Sequence, residues 1–276
     1  MELTVVSWNL DGWHTIRDAQ LRLLDDTGAD VALLQEVTPA SLQRLRAADW
    51  TGNCALELVD ADHTERGGAV PRFGCAVLVR SGITITAANL VPGATSPVRA
   101  LSCNLAVHDR TVTAISAALP PGSMWGRAAK HGQATAIQRE LQSAGPPTLL
   151  GIDRNGPRHE RWDPADTEWW PEDPSWFFDD TAAHGRSDVL DRWHTLHPAV
   201  AALARQQRPH GPRAVSYVEQ RTDPPTPRRY DLIMTDPDVE VVDVRYRYDD
   251  AIAAGSDHGL VVTKLRLRYS DAPLHT

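Results

Sequence analysis

The sequence of 276 residues predicts an α/β (or α+β) fold in a single domain, residues 1–276. The N-terminal part alternates short apolar runs with a helical pattern, and the middle carries short apolar runs separated by Gly and Pro turns. Segments that carry Asn, Asp, Glu or His lie near both ends of the chain. They can share one site only if both ends belong to the same unit, and a single domain of this length is common.

The chain begins with a predicted strand, helix and strand, at residues 3–7, 16–27 and 31–34. Both strands are short apolar runs, and the helix places its apolar residues on roughly one face. Parallel strands joined by a helix end at the same edge of a sheet. If these two strands run parallel, Asn9, Asp11 and Glu36 are expected at one edge.

The remaining elements follow in order. A helix is predicted at residues 39–48, then β-strands at 75–79, 83–86, 100–105 and 111–117. A helix at 128–143 precedes a strand at 148–152, and helices at 187–196 and 198–206 precede strands at 230–234, 239–247 and 260–267. The intervening loop, 156–186, is rich in Trp, Pro and Asp. Loops of this length in compact domains are usually functional or disordered.

Several of these strands end abruptly in Asn, Asp or Glu. The polar residues at these ends and in the loop near the C-terminus are Asn9, Asp11, Gln35, Glu36, Asp153, Asn155, Asp231, Asp257 and His258. Open α/β sheets place ligands and chemistry at strand ends. The pattern therefore predicts one cluster of carboxylates and amides, with an imidazole beside it.

These blocks resemble the signature blocks of the endonuclease/exonuclease/phosphatase superfamily. They stand in the family's order and span residues 8–258, as Trp8-Asn9 with Asp11, Gln35-Glu36, Asp153 with Asn155, Arg229 with Asp231, and Ser256-Asp257-His258. The resemblance implies a four-layer α/β/β/α sandwich, with two mixed β-sheets packed face to face and helices outside. It also implies metal-dependent hydrolysis of phosphoesters.

The resemblance implies metal ligands as well. Charge builds on phosphate oxygens during in-line attack, and a divalent metal with fixed donors neutralises it. Glu36 is the leading ligand for Mg²⁺, with Asp11 and Asp257 as further direct or water-mediated ligands. Hard oxygen ligands suit Mg²⁺, and Mn²⁺ is the alternative cofactor.

The catalytic roles are carried over from the family in the same way. Asn9 and Asn155 would orient carboxylates and phosphate oxygens, and Asp153 would activate or align the attacking water. His258 would donate to a phosphate oxygen, while Asp231 would hold its other ring nitrogen and favour the imidazolium form.

Each block has a simpler interpretation when it stands alone. These are turn formation by Asn9 and Asp11, a first-turn helix acid at Glu36, a surface ion pair at Asp153-Arg154 and a loop pair at Asp257-His258. Their joint occurrence in family order favours the functional interpretation.

The sequence departs from the family pattern in two places. Where many members carry a histidine that serves as a second acid, this chain has Ala117-Ala118-Leu119. A tyrosine serves in other members, but no tyrosine precedes Tyr217, so no simple substitute is visible. The usual Gly-Asp-x-Asn block is shifted by one residue, with Arg154 between the acid and the amide. Arg154 is therefore expected either to contact a phosphate or to accompany a slow site.

Substrate-binding candidates come from aromatic and basic residues. The candidates are Arg154, Trp125, Arg127 and Trp176. The tryptophans of the loop could stack on bases, but their pinning of a long loop is the preferred interpretation. Arg127, Lys130, Arg158 and Arg161 either line a phosphate path or form a solvated face, and spacing alone favours the latter.

Composition limits the function classes. The net charge of −8 argues against a broad basic face for nucleic acid, although bound metal would offset acidic charges within a site. Three cysteines without zinc-like spacing predict buried free thiols in a reducing compartment. No signal peptide or long apolar run is evident, so a soluble, cytoplasmic protein without a membrane partner is expected, as a monomer.

The resemblance implies a Mg²⁺-dependent phosphoester hydrolase, expected to be a nuclease or phosphodiesterase acting on nucleic acid. The choice of nuclease rests on the Ser7–Gly12 block, which is similar to that of repair endonucleases and their exonuclease relatives. Two alternatives stay open. One is a phosphatase acting on inositol lipids or another small phosphoester, and the other is a catalytically weakened member that acts as a binding module, motivated by Ala118.

Overall fold

A computed structural model describes residues 1–65, 68–145, 147–179 and 181–267. Residues 268–276 of the predicted domain and Asp180 of the predicted loop 156–186 lie outside this description.

The structure contains strands and helices close to the predicted ones. The strands are β1 (Glu2–Asn9), β2 (Val31–Val37), β3 (Thr51–Cys54), β4 (Gly74–Val79), β5 (Ile83–Leu90), β6 (Ala100–Val107), β7 (Arg110–Ala118), β8 (Thr148–Asp153), β9 (Ser187–Asp188), β10 (Tyr217–Glu219), β11 (Thr226–Arg228), β12 (Asp231–Thr235), β13 (Glu240–Arg247) and β14 (Leu260–Arg266). The α-helices are α1 (Asp18–Asp26), α2 (Pro39–Ala47), α3 (Gly122–Trp125), α4 (Arg127–Ser143), α5 (Thr181–His184), α6 (Val189–Leu196), α7 (Pro198–Gln207) and α8 (Tyr248–Ala254).

Two six-stranded mixed sheets form the centre of the fold. Their strand orders are β13-β14-β1-β2-β4-β3 and β5-β6-β7-β8-β12-β9, and β10 pairs with β11 in a separate hairpin. Each large sheet has one parallel pair, β1 with β2 and β7 with β8, and its other pairs are antiparallel. The predicted sandwich of two mixed sheets with helices outside is confirmed.

Alternation of side chains along the strands builds the layers. Val5 and Leu33 point into the core between the two sheets, whereas Val6 and Leu34 belong to the cluster that packs against α1 and α2. A third cluster joins the outer face of the second sheet to α4 through Ile137 and its neighbours. Both faces of these strands are therefore buried, which explains their nearly continuous apolar sequences.

The topology brings the polar strand ends to one edge. The parallel strands β1 and β2 run in register, with Asn9 opposite Gln35. The antiparallel partner of β8, β12, begins with Asp231 directly opposite Asp153. His258 precedes β14, whose first residues pair with the end of β1. The predicted parallel arrangement of the first two strands is thus confirmed.

Some elements were not predicted from the sequence. Strand β3 has the sequence Thr-Gly-Asn-Cys, which lacks an apolar pattern, and it forms by backbone pairing with β4. Helix α8 and the β10–β11 hairpin also lie in stretches without a clear signal. Within the Trp-rich loop, Asp163 and Asp173 cap two short 3₁₀ turns, Pro164–Asp166 and Pro174–Phe178.

Two further expectations concern buried thiols and membrane spans. Cys54, Cys75 and Cys103 are buried and free, as predicted, and burial raises the pKa of each thiol. In the part of the chain that the structure describes, every helix is too short or too polar to cross a bilayer.

Candidate active site

A pocket of about 630 Å³ opens at the sheet edge where the polar strand ends meet. The predicted site residues that line it are Asn9, Asp11, Glu36, Arg127, Asp153, Asn155, Asp257 and His258. Asp231 is fully buried and is hydrogen-bonded to His258, which lines the pocket. Asp257 and His258 of the C-terminal loop therefore share one cavity with the strand ends, although these segments are remote in sequence.

Asp153 is held by three N–H groups. Its Oδ1 accepts from the Asn155 backbone N–H (3.0 Å), and its Oδ2 accepts from the side-chain amides of Asn155 and Asn9 (both 3.1 Å). Burial raises the pKa of Asp153 to about 6, although the charge of His258 and these hydrogen bonds oppose the shift. The site thus contains an oriented carboxylate whose pKa lies near neutral pH.

His258 is paired with Asp231. Its Nδ1 donates to Asp231 Oδ2 across 2.8 Å, and the Trp8 indole N–H and the Ser256 hydroxyl fix the surrounding backbone. Burial lowers the pKa of His258, but the carboxylates of Asp231 and Asp153 outweigh it and raise the pKa well above its usual value. The imidazole is therefore charged at neutral pH and can donate to an anion.

Three site residues have left-handed backbone conformations that are rare outside glycine. The φ angles are +58° at Asp11, +57° at Glu36 and +47° at Asn155. Glu36 lies in the irregular part of β2, where the pairing with β4 shifts register between Leu34 and Val37. Such irregularities redirect side chains at sheet rims. Glu36 lines the pocket, while its neighbour Gln35 is buried and donates to Ser116 Oγ of the other sheet (3.2 Å).

The pocket lining fits a divalent cation with hard oxygen ligands. Glu36 Oε2 accepts from the Gly12 N–H (3.0 Å), and Oε1 lies 3.9 Å from the Arg99 guanidinium. Burial raises the pKa of Glu36, and burial together with the charge of Asp257 raises that of Asp11. A cation between these carboxylates would relieve their repulsion.

A second set of residues could also hold a metal ion. One ligand atom each from Asp153, Asp231 and His258 lies within 4.8 Å of the others. However, the Asp153 oxygens already accept three N–H bonds, and His258 Nδ1 is hydrogen-bonded to Asp231. Glu36 accepts fewer N–H bonds than Asp153 does, so the set around Glu36 is the more available one for a divalent cation.

Two tyrosines that the sequence analysis passed over lie in the pocket. Tyr217 and Tyr230 stack with ring centroids 5.2 Å apart, and the Tyr217 ring lies 5.0 Å from that of His258. The Tyr217 backbone also forms a bridge with His258. Their late position in the sequence gives no indication that they lie at the site. The signal that could have found one of them is the position of Tyr230 directly before Asp231.

The prediction that Lys130 lies on a solvated face is wrong. It is only 4% exposed and lines the pocket, where its Nζ donates to the Asn155 carbonyl (2.8 Å) and to Asp173 Oδ2 (2.9 Å). Burial lowers its pKa, and the charge of Asp173 opposes that shift. Arg127 lines the pocket, as expected of a substrate-binding candidate. Its side chain is also exposed, as expected of a solvated face, and forms an ion pair with Glu172 (3.0 Å).

Arg154 does not reach the pocket, contrary to the expectation of a phosphate contact. Its side chain is fully buried and pairs with Asp179 (2.7 Å) and Glu160 (3.6 Å). Side chains alternate along a strand end, so Asp153 faces the pocket and Arg154 faces away from it.

The remaining substrate-binding candidates lie outside the pocket lining. Trp125 packs beneath the Arg99 guanidinium, and Trp176 is 45% exposed beside Phe177. Trp170 lines the pocket in place of Trp176. Trp162 donates to the Arg208 carbonyl (2.7 Å), which supports the preferred interpretation that tryptophans pin this loop.

A buried ion network supports the back of the site. Glu160 accepts from Arg229 Nε (2.8 Å) and Arg213 Nη2 (2.7 Å), and Arg229 Nη1 also contacts Asp188 (2.5 Å). Burial raises the pKa of Glu160, but its arginine partners lower it far below the usual range. Arg229 precedes Asp231 by two residues, so the network anchors the start of β12.

The position of the expected second acid contains no polar side chain. Ala118 ends β7 opposite Asp153 and is fully buried in the core between the sheets. Structure and sequence therefore give the same result: if the reaction requires a second acid, another group must provide it.

A family model described as "Endonuclease/Exonuclease/phosphatase family" matches residues 6–258. No curated protein matches the chain at a significant level. The endonuclease/exonuclease/phosphatase from Bacteroides vulgatus is structurally similar, with a TM-score of 0.65 at 16% identity over 97% of this chain and 100% of that chain. TDP2 of D. rerio complexed with single strand DNA product has a TM-score of 0.61 at 16% identity, over 96% and 99% of the two chains. The human Nocturnin catalytic domain with bound sulfate anion gives 0.60 at 14% identity, over 97% and 95%.

Proposed function

The chain belongs to the endonuclease/exonuclease/phosphatase family, and we propose that it is a Mg²⁺-dependent phosphodiesterase that cleaves nucleic-acid phosphodiester bonds. One observation carries this proposal. An oriented carboxylate, Asp153, and a charged imidazole, His258, line the same pocket as the carboxylate of Glu36. In-line hydrolysis of a phosphoester needs a base, a donor to phosphate oxygens and a cation.

Asp153 serves as the general base in this proposal. Three N–H donors fix its two oxygens, and its raised pKa gives it an appreciable proton affinity while it stays largely ionised at neutral pH. Asn9 and Asn155 provide two of those donors and so hold the carboxylate in one orientation.

His258 stabilises charge on the phosphate. Its Nδ1 is occupied by Asp231, so its Nε2 is the ring donor left for the pocket. A charged donor at this position stabilises developing negative charge by about 3–4 kcal/mol, a typical value for one well-placed donor. Mg²⁺ held by Glu36, with Asp11 and Asp257, would supply Lewis-acid stabilisation of the phosphoryl oxygens.

The charge of the pocket bears on substrate size. Seven carboxylates, against two arginines and one lysine, line its described part. A long duplex is normally bound through many Lys and Arg contacts to phosphates. The acidic lining therefore supports a strand end or a short single strand as the substrate, and the DNA-bound TDP2 structure supports nucleic acid as its class.

A second candidate is hydrolysis of a small phosphoester. The same acidic lining and the pocket volume of about 630 Å³, which is typical of small-molecule sites, favour it over a long polymer. The domain boundaries 1–276, a monomeric state and a cytoplasmic location stay predictions from the sequence.

A substrate panel tests the proposal. The enzyme is incubated with plasmid DNA, single-stranded DNA, RNA, bis-p-nitrophenyl phosphate, p-nitrophenyl phosphate and an inositol phosphate, each with Mg²⁺, Mn²⁺ or chelator. Metal-dependent cleavage of nucleic acid and of the diester is expected. Cleavage restricted to the monoesters would favour the second candidate. Absence of turnover on every substrate would contradict both hydrolytic assignments.

A further inference from the structure

We propose that Lys130 is a positioning residue that ties one wall of the pocket, formed by residues 170–174, to the carboxylate of Asp153. This inference rests on the proposed hydrolase function. Lys130 does not need to touch the substrate, because its effect passes through Asn155 on one side and Asp173 on the other.

The first half of the linkage runs from Lys130 to the general base. The ammonium donates to the Asn155 carbonyl across 2.8 Å. Asn155 has a left-handed backbone, φ +47°, and in this conformation both its backbone N–H and its side-chain amide reach Asp153. A non-glycine residue in this region of φ needs support from its surroundings. Lys130 provides that support at the adjacent carbonyl.

The second half runs from Lys130 to the loop. Asp173 Oδ2 accepts from the ammonium at 2.9 Å, while Asp173 Oδ1 accepts from the Ser175 N–H at 2.9 Å and caps the turn Pro174–Phe178. Trp170 and Pro174 of this loop line the pocket. One buried carboxylate thus connects the ammonium to the loop backbone beside these wall residues.

The surroundings favour lysine at this position. Lys130 and Lys264 are the only lysines among the 28 basic residues of the chain, and Lys264 is exposed. A Cβ added at Gly156 would lie 2.4 Å from Ser175 Oγ and 3.5 Å from Lys130 Nζ, so the space around the ammonium is small. A compact ammonium with rotatable donors fits such a space better than a planar guanidinium.

Removal of the ammonium tests the linkage. Lys130→Met keeps the apolar stem and deletes both hydrogen bonds, and Asp173→Asn removes the charge of the partner while its amide oxygen can still cap the turn. Loss of a residue that orients a functional side chain typically lowers activity by about 10- to 100-fold. We expect that fall in kcat for Lys130→Met. The KM for the diester should change by less than about 3-fold, because Lys130 positions the general base and does not itself bind the substrate. Lys264→Met is the matched control and keeps wild-type kinetics.

A double-mutant cycle separates positioning from general destabilisation. If Lys130 and Asp173 act as one unit, the double variant has a kcat similar to that of Lys130→Met alone, because effects within a unit are not additive. Multiplicative losses, or a kcat for Lys130→Met equal to that of wild type, would overturn the inference. If Lys130→Met does not fold, Asp173→Asn alone carries the test, and an unchanged kcat in that variant would overturn it as well.

Limited proteolysis gives a readout that does not depend on activity. We expect faster cleavage within residues 156–179 in Lys130→Met and Asp173→Asn than in wild type or Lys264→Met, at temperatures where all four are folded by circular dichroism. Unchanged cleavage would refute the linkage even if the enzyme is a hydrolase. Faster cleavage in a protein that turns over none of the substrates would support the linkage and contradict the proposed function.

Discussion

Replacement of Asp153 by asparagine should leave the protein folded and almost inactive. The carboxylate accepts one N–H at Oδ1 and two at Oδ2. Asparagine has a single acceptor oxygen, and if that oxygen takes the Oδ2 position, its NH₂ group faces the Asn155 backbone N–H. One unsatisfied buried donor costs about 1–3 kcal/mol. The neutral amide partly offsets this cost, since burial disfavours the charge of Asp153.

The effect on catalysis is much larger than the effect on stability. An amide cannot accept a proton from water, and loss of a positioned general base typically lowers rates by about 10²- to 10⁴-fold. That range corresponds to about 3–5 kcal/mol of transition-state free energy. The hydrogen-bond geometry therefore predicts a variant with a small loss of unfolding free energy and a large loss of kcat.

The assay measures initial rates with bis-p-nitrophenyl phosphate and with a labelled single-stranded oligonucleotide at saturating Mg²⁺. Urea denaturation followed by tryptophan fluorescence reports the stability of the same preparations. Asp109→Asn, in the exposed turn between β6 and β7, is the matched control and should behave as wild type. Unchanged turnover of Asp153→Asn would refute the assignment of this residue.

Three further predictions follow from the site and its support. Because Asp153 acts in its deprotonated form and its pKa is raised to about 6, kcat/KM should fall as the pH drops through about 6; a pH-rate profile that stays flat down to pH 4.5 would contradict this. Glu160→Gln removes the charge of one of the two carboxylates that pair with the buried guanidinium of Arg229, the other being Asp188, and loss of one member of a buried ion pair costs about 3–5 kcal/mol; a urea-derived change below about 1 kcal/mol would contradict the role of the network. Tyr217→Phe keeps the ring that packs on His258 and should retain kcat within about 3-fold, whereas Tyr217→Leu should lose about 10-fold through misplacement of the imidazole; equal kcat values for the two variants would show that the ring is dispensable.

The sequence was sufficient to predict the edge of the sheet at which the site forms. Asn9 and Glu36 end the strands of a strand–helix–strand unit, and the parallel pairing of such strands follows from connection rules. The apolar runs of β1, β2 and β8 are long enough to show burial on both faces. The joint occurrence of the polar blocks in family order then indicated which strand ends meet.

Other features depended on contacts between residues remote in sequence. The burial of Lys130 requires Asp173, which lies 43 residues further along the chain in a loop without periodicity. The packing of Tyr217 on His258 depends on a hairpin that carries no apolar pattern. The orientation of Arg154, by contrast, does not depend on contacts between remote residues. Alternation of side chains along the strand is enough to predict that Arg154 lies on the opposite side from Asp153.

A crystal of the protein soaked with Mn²⁺ and a nucleoside monophosphate would show where the metal and the phosphate bind relative to Glu36 and His258. Anomalous scattering locates the metal independently of the protein chain. We expect a manganese peak at bonding distance from a Glu36 carboxylate oxygen, with the phosphate between that metal and Nε2 of His258. A peak coordinated by Asp153, Asp231 and His258 instead, or a phosphate bound away from His258, would contradict it.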